Sequence, residues 1–410
     1  MQDDDGTRFR SRRVGDPPPH EHGWTQSGVE PDRNNYGTIS PAQSVAILRF
    51  VSPALKHIVF PVLSRSGYLH YSAGSGPAVV TYHGVFPQGY EIRNATLDGN
   101  LVHASSLRRQ LQLLQKHYHV ISPDDFLRWL QAELSLPPRS ILLTCDDALR
   151  NTSTEMLPIL QEYGVSCLFF GTAAPGDEVA TMRWYEELYL MLLDATDPIA
   201  LSLPEAAINV SQIAPTEKHS CWWKLVGQLS QFHPALRWKF LDQIREQFKL
   251  PLNWRERFVK DPTLAARFLM LDRAGIRELA AAGMTIGAHS LSHPILARAT
   301  DEQAWREISD SRSVLEQALG QTVWAFGYPF GTTETVKQRE FQFAEKAGFR
   351  CAFMNSGGGL GAKINRFAVP RVHVTAGMNL SEFEAHIAGF YRNLRTRLLG
   401  EDELLAAEGV

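Results

Sequence analysis

From Pro77 onward the chain alternates short apolar runs with amphipathic stretches. AVVTY (78–82), SILLTC (140–145), VSCLFF (165–170), MTIGA (284–288), VWAFG (323–327), RCAFM (350–354) and RFAVPRVHV (366–374) are predicted as strands. Between them, Ser106–His117 sets Leu107, Leu111 and Leu114 on one helical face, and Thr152–Tyr163 reads as a helix ended by Gly164. A further helix over Ile276–Ala282 stops at Gly283. Thr300 and Gln303 form a capping box for a helix carrying Ala304, Ile308, Leu315 and Leu319 and closing at Gly320. Strand and helix in alternation predict an α/β fold with a parallel sheet, open or closed into a barrel. In either form, active groups belong at the carboxyl ends of the strands.

The rhythm breaks over about 175–267, which is rich in helix formers and tryptophan (Trp184, Trp222, Trp223, Trp238, Trp254) and has no clear strand. This reads as a helical insertion between two βα units, covering the site or packed outside it. Residues 1–40 read as a flexible tail, 41–76 as a basic-apolar lead-in, 77–390 as the main domain and 391–410 as a C-terminal helix or tail. Within the lead-in, Ser44–Leu63 holds Arg49, Lys56, His57 and two prolines, too many interruptions for a bilayer span. It is either a helix packed on the domain or a segment lying on an anionic membrane surface. The N-terminus lacks the basic start and apolar core of a secretory signal, so a cytoplasmic address is expected, with peripheral membrane contact through 44–63 as an added expectation.

Composition narrows the function classes. Forty-one Lys plus Arg against 44 Asp plus Glu leave a net charge of −3, which gives no footprint for nucleic acid as a partner. The four cysteines, Cys145, Cys167, Cys221 and Cys351, form no CxxC pair, and those in LLTC and SCLFF read as reduced, buried thiols.

Candidate chemistry gathers at the predicted strand ends. In LLTCDDAL, Asp146 and Asp147 follow an apolar strand, where neighbouring side chains point to opposite faces. Two carboxylates share a cavity only if the strand breaks there, and their repulsion requires a cation or a retained proton. A metal on one would leave the other free as a base; an N-cap beside a solvated aspartate is the plain alternative. GAHSLSH supplies His289 and His293, whose i,i+4 spacing on a helical turn suits metal capture, although two loop histidines would look the same. An Asp with two His leaves open metal positions for water and substrate, as hydrolysis requires. In WAFGYPFGT, Tyr328, Pro329 and Phe330 suit a wall for a sugar ring and a loop N–H for an oxyanion, or simply core packing. VPRVHV places Arg371 and His373 on one strand face, Arg371 to pair a carboxylate and His373 as a general acid or a satisfied strand histidine. His83, after the first strand, is a further candidate.

Taken in order, the apolar strand with TxDD, GxHSxxH, FxYPxG and PRxxV resembles the polysaccharide deacetylase family, carbohydrate esterase family four, which includes the nodulation chitooligosaccharide deacetylase. The likeness covers about 79–170 and 269–374. It implies an irregular (β/α) barrel of about seven parallel strands and a divalent metal, usually zinc and sometimes cobalt, nickel or manganese. It further implies Asp147, His289 and His293 as metal ligands, Asp146 as catalytic base, His373 as catalytic acid, and the Phe330 N–H at the oxyanion. The implied substrate is an N-acetylated glycan or lipid-linked precursor, hydrolysed to acetate and a free amine. There are departures: TCDDA stands where the family has TFDDG, Gly327 stands where an arginine is expected, and no DxxDW occurs near 355–359. Arg371 is the candidate to replace that arginine in steadying the base. The divergent substrate side leaves open another amide or ester substrate, or a degenerate barrel that only binds glycan.

Overall fold

The computed structural model describes residues 53–74, 76–173, 181–196, 199–356 and 364–399. Seven strands run parallel around one sheet: β1 (Ala78–Tyr82), β3 (Ser140–Cys145), β4 (Leu168–Gly171), β7 (Thr285–Ala288), β8 (Ala325–Gly327), β9 (Cys351–Phe353) and β10 (Val372–His373). Strand β2 (His119–Ile121) joins below, and β5 (Ile199–Leu203) with β6 (Ile208–Ile213) forms a separate hairpin.

The order β10-β1-β3-β4-β7-β8-β9 closes on itself through one extended segment. Val369 bridges Phe353 of β9, while Val372 and His373 pair with Val80 and Thr81 of β1. The first half of β3 pairs with β2 and its last residues, Thr144 and Cys145, with β4. That change of partner makes the barrel irregular.

Side-chain alternation sorts the strands into an inside and an outside. Val79, Leu142, Leu168, Phe170, Ala325, Cys351, Phe353 and Val369 form one buried cluster within the ring. Their neighbours Val80, Leu143, Phe169, Phe326 and Ala352 pack outward with the helix residues Leu107, Leu111, Ile159, Ile276, Ile308 and Leu315. Both faces of each strand are therefore apolar, which is why the strands read as continuous hydrophobic runs. The helices follow the periodicity: Ala104–His117 buries Leu107, Leu111 and Leu114, and Asp301–Leu319 carries the Thr300/Gln303 capping box and ends at Gly320, φ 67°.

The insertion has its own core of Leu188, Leu192, Leu225, Val226, Phe240, Ile244 and Phe258. It differs from the sequence reading in containing the β5–β6 hairpin, whose alternation of buried and exposed positions is short and has one register shift. Of the 44–63 segment, residues 53–63 are described; Leu55 and Phe60 pack against Ala385, Ala388 and Phe390, while Ile58 and Val62 are exposed. The tail over 1–40, residues 44–52 and most of the 355–359 loop lie outside the described residues. Among those described, no helix is long and apolar enough to cross a membrane.

Phe170 fills the barrel interior where Gly287 leaves room. A methyl group at Gly287 would lie 2.6 Å from Phe170 Cδ1 and 3.0 Å from the Ala325 carbonyl. Gly287→Ala is expected to destabilise the fold by about 1–3 kcal/mol through overpacking, measured by denaturant unfolding; an unchanged midpoint would mean that Phe170 is not confined.

Candidate metal centre

Strand β3 ends at Cys145, and the next residue still follows its inward register: Leu142, Thr144 and Asp146 share one side. Asp146 N–H donates to the Tyr82 carbonyl (2.9 Å), so this position remains part of the ladder. The chain then breaks. Asp147 takes φ 72° and Ala148 φ 48°, a left-handed turn that swings the second carboxylate into the same cavity as the first. Ala148 adopts the conformation that a glycine would reach without steric cost, so the missing glycine leaves local strain and the turn intact.

Two buried arginines keep the carboxylates apart. Arg371, inside the barrel and wholly buried, donates from both terminal nitrogens to Asp146 Oδ1 and Oδ2 at 2.7 Å, and from NH1 to Thr144 Oγ1 at 3.2 Å. Its guanidinium lies over the Phe170 ring at 5.3 Å. Burial would raise the Asp146 carboxyl, but Arg371, with smaller help from His289 and His83, holds it down at about 2. Asp147 is likewise buried; Arg183 and then His293 outweigh the burial and hold its carboxyl well below the ordinary range.

His289 follows β7, with its N–H donating to the Gly171 carbonyl. Its ring Nδ1 is 2.6 Å from the Gly327 carbonyl, which can only accept, so Nδ1 carries the proton and Nε2 presents a lone pair. A side chain at Gly327 would lie 3.1 Å from that Nδ1, so glycine here gives the imidazole its room. The two histidines are not on a helical turn. Ser290 and His293 adopt φ 64° and 55°, and the loop brings the rings to a 4.9 Å centroid separation.

Asp147 Oδ1 lies 3.2 Å from His293 Nε2 and 3.6 Å from His289 Nε2. A tetrahedral ion with bonds of about 2.0–2.1 Å needs ligand atoms about 3.3–3.4 Å apart. All three donor atoms fall within 4.8 Å of one another, and this is the one such group among the described residues. The donor set therefore suits a divalent cation by its two Asp147–imidazole spacings, by the inward lone pair on His289 and by the absence of a hydrogen bond on Asp147 Oδ1.

The centre faces a cavity of about 350 Å³ lined by His83, Asp146, His373 and the three candidate ligands. His83 Nε2 is 3.8 Å from Asp146 Oδ2, and the His83 and His373 rings are 4.8 Å apart. Burial, then His83, lowers His373 to about 3, so its imidazole is uncharged at neutral pH. Tyr185, Trp222, Trp223 and Phe330 form an aromatic side of the cavity; Phe330 is 5.2 Å from the Tyr185 ring and 5.4 Å from that of Trp223. Three of these come from the insertion, which thus covers the site.

Tyr328 does not line the cavity. It lies on the outward face after Phe326, fully buried, and its hydroxyl donates to the Phe367 carbonyl at 3.0 Å. Pro329 is buried and also lies off the cavity lining. The sequence reading missed Arg183, Tyr185 and the two insertion tryptophans as cavity residues. The tryptophan density was visible, but nothing in MRWYEELY marks Arg183 apart from an ordinary helix start.

A sequence profile described as polysaccharide deacetylase matches residues 256–352. Over that segment the chain is similar to polysaccharide deacetylases. That segment takes in β7, β8 and the start of β9, with His289 and His293, while Asp146, Asp147 and His373 lie outside it. YxkH of Bacillus subtilis (strain 168), named as a polysaccharide deacetylase, is 30% identical over 114 residues, 27% of this chain and 39% of that one. The chain thus matches about two fifths of that relative's length. Among solved structures, the Streptococcus pyogenes deacetylase PplD in complex with acetate aligns with TM-score 0.48 and 16% identity, over 76% of this chain and 98% of that one. IcaB from Ammonifex degensii gives 0.46 and 17%, over 77% and 98%.

Burial lowers both His289 and His293 below the ordinary 6.5, only partly offset by Asp146 and then Asp147 at His289 and by Asp147 at His293. Neutral imidazoles bind metal and protonated ones do not. As pH falls, both rings of the metal-free protein stay neutral past 6.5, so NMR titration of their ring protons should give midpoints below pH 6.5. Midpoints at or above that pH would mean that the two rings are solvated rather than buried.

Proposed function

We propose that the protein is a divalent-metal-dependent hydrolase removing N-acetyl groups from amino-sugar residues of a glycan, with zinc as the working ion. The observation that carries this reading is the convergence of Asp147 Oδ1 and two imidazole Nε2 atoms beside a separate, ionised Asp146 in one cavity. Mixed nitrogen and oxygen donors suit zinc, and also cobalt, nickel or manganese. The deacetylase segment and the aromatic side of the cavity, suited to the apolar face of a sugar ring, support the glycan assignment.

When bound, the cation polarises the acetyl carbonyl and acidifies the attacking water. The remaining work falls to the chain. Asp146 is ionised throughout the neutral range and accepts the proton of the water. Arg371 occupies both of its oxygens from one side, which fixes the plane of the carboxylate and leaves its outer lone pairs toward the cavity. His373 is neutral before reaction, so its role as acid depends on receiving that proton and passing it to the departing amine. Phe330, φ 61°, packs its ring edge-on against that of His293 at 4.8 Å, and its backbone N–H is the candidate oxyanion donor.

Zinc-loaded protein should release acetate from chitooligosaccharides, and chelation should stop it. Asp146→Asn should lower kcat by roughly 10²–10⁴-fold while zinc content stays at the wild-type level. Turnover of simple acetyl esters alone, or activity indifferent to chelator, would contradict the assignment.

A further inference from the structure

The carboxylate of Asp147 is divided between two environments. Oδ1 faces His289 and His293 and accepts no hydrogen bond, while Oδ2 is taken by Arg183 NH1. Arg183 does not belong to the barrel; it stands directly before the first helix of the insertion, Trp184–Asp194. Its guanidinium is a bridge: NH1 goes to Asp147, and Nε (3.0 Å) and NH2 (2.5 Å) go to the two oxygens of Glu186.

The bridge is itself held from behind. Glu186 Oε1 accepts from Arg267 NH2 at 3.1 Å, and Arg267 Nε donates to Asp98 Oδ1 at 2.8 Å. Asp98 is fixed in turn by the Tyr90 hydroxyl and the Arg93 N–H. All five charged groups in this chain, from Asp147 to Asp98, are buried. A fork clamped on Glu186 has one direction left for NH1, and that direction is Asp147 Oδ2.

A free carboxylate can bind a cation through one oxygen or both. Here the second oxygen is already engaged. We propose that Arg183 is a positioning residue that restricts Asp147 to a single metal-binding oxygen, so that the insertion, rather than the barrel, sets the coordination number of the centre. This rests on the metal-site reading above and adds to it a role for the insertion. Glu186 neutralises the guanidinium, so Arg183 directs Asp147 without leaving an uncompensated positive charge beside the cation.

The test uses the full chain, zinc affinity by competition with a chelating dye, and the visible spectrum of the cobalt(II)-substituted protein. Arg183→Gln combined with Glu186→Gln removes the bridge with no net change of charge. The folded double variant should bind zinc roughly 10–100-fold more weakly, the usual cost of losing a group that orients a ligand. Its cobalt absorption should weaken as Asp147 turns bidentate and the coordination number rises. Arg183→Lys keeps the charge but cannot span both carboxylates; it should show a smaller loss and the same direction of spectral change, and serves if the double variant does not fold. Wild-type affinity and spectrum in either folded variant would overturn the role of Arg183. Failure of the wild-type protein to bind zinc or cobalt would instead overturn the metal site itself.

Discussion

Two neighbouring carboxylates buried at the end of one strand are the constraint that the rest of this structure answers. Like charges about 4 Å apart repel by about 4 kcal/mol at an effective dielectric of 20, a large part of the 5–15 kcal/mol net stability of an ordinary domain. The fold separates them by geometry and by counter-charge. Asp146 stays on the inward face of β3 and meets Arg371 from the far side of the barrel, while the left-handed turn at Asp147 sends its carboxylate to Arg183 and the histidines. Each anion thus has its own buried guanidinium. One is held through both oxygens, while the other keeps one oxygen without a hydrogen bond.

The cost appears in the backbone. Among the described residues nine non-glycines have positive φ; three of them, Asp147, His293 and Phe330, line the cavity, and Ala148 and Ser290 belong to the same loops. Each such residue costs about 1–2 kcal/mol relative to the right-handed conformation. They persist because what surrounds them is rigid: the Phe170 and Phe353 rings inside the barrel, the Gly327 carbonyl beneath His289, and the aromatic packing of Tyr185 and Phe330 on His293. Around the site this strain sits at the carboxyl ends of the strands, where loops rather than ladders fix the side chains.

Much of this was legible in the sequence because parallel strands covered on both faces are continuous apolar runs, and seven such runs were visible. The placement of Asp146, Asp147, His289, His293 and His373 at strand ends followed from the same pattern; Arg371 was legible there only as partner of a carboxylate, and its pairing with Asp146 came from the family resemblance. What could not be read depends on long-range packing. Tyr328 and Phe330 are alike in composition, but register puts Tyr328 outward and the turn after Pro329 puts Phe330 in the cavity. The spacing of His289 and His293 suggested a helical turn, yet two left-handed residues achieve the convergence instead. Arg183 lay beyond reach because its partner is 36 positions away, with the sequence between them giving no sign of the contact. The β5–β6 hairpin was hidden by its brevity amid helix formers.

The proposed chemistry requires one cation seated among Asp147, His289 and His293. Anomalous diffraction at the zinc absorption edge from crystals of the zinc-loaded protein tests it most directly. It predicts a single strong peak within about 2.0–2.2 Å of Asp147 Oδ1 and of both Nε2 atoms. A peak elsewhere, or none in protein shown to contain zinc, would contradict it.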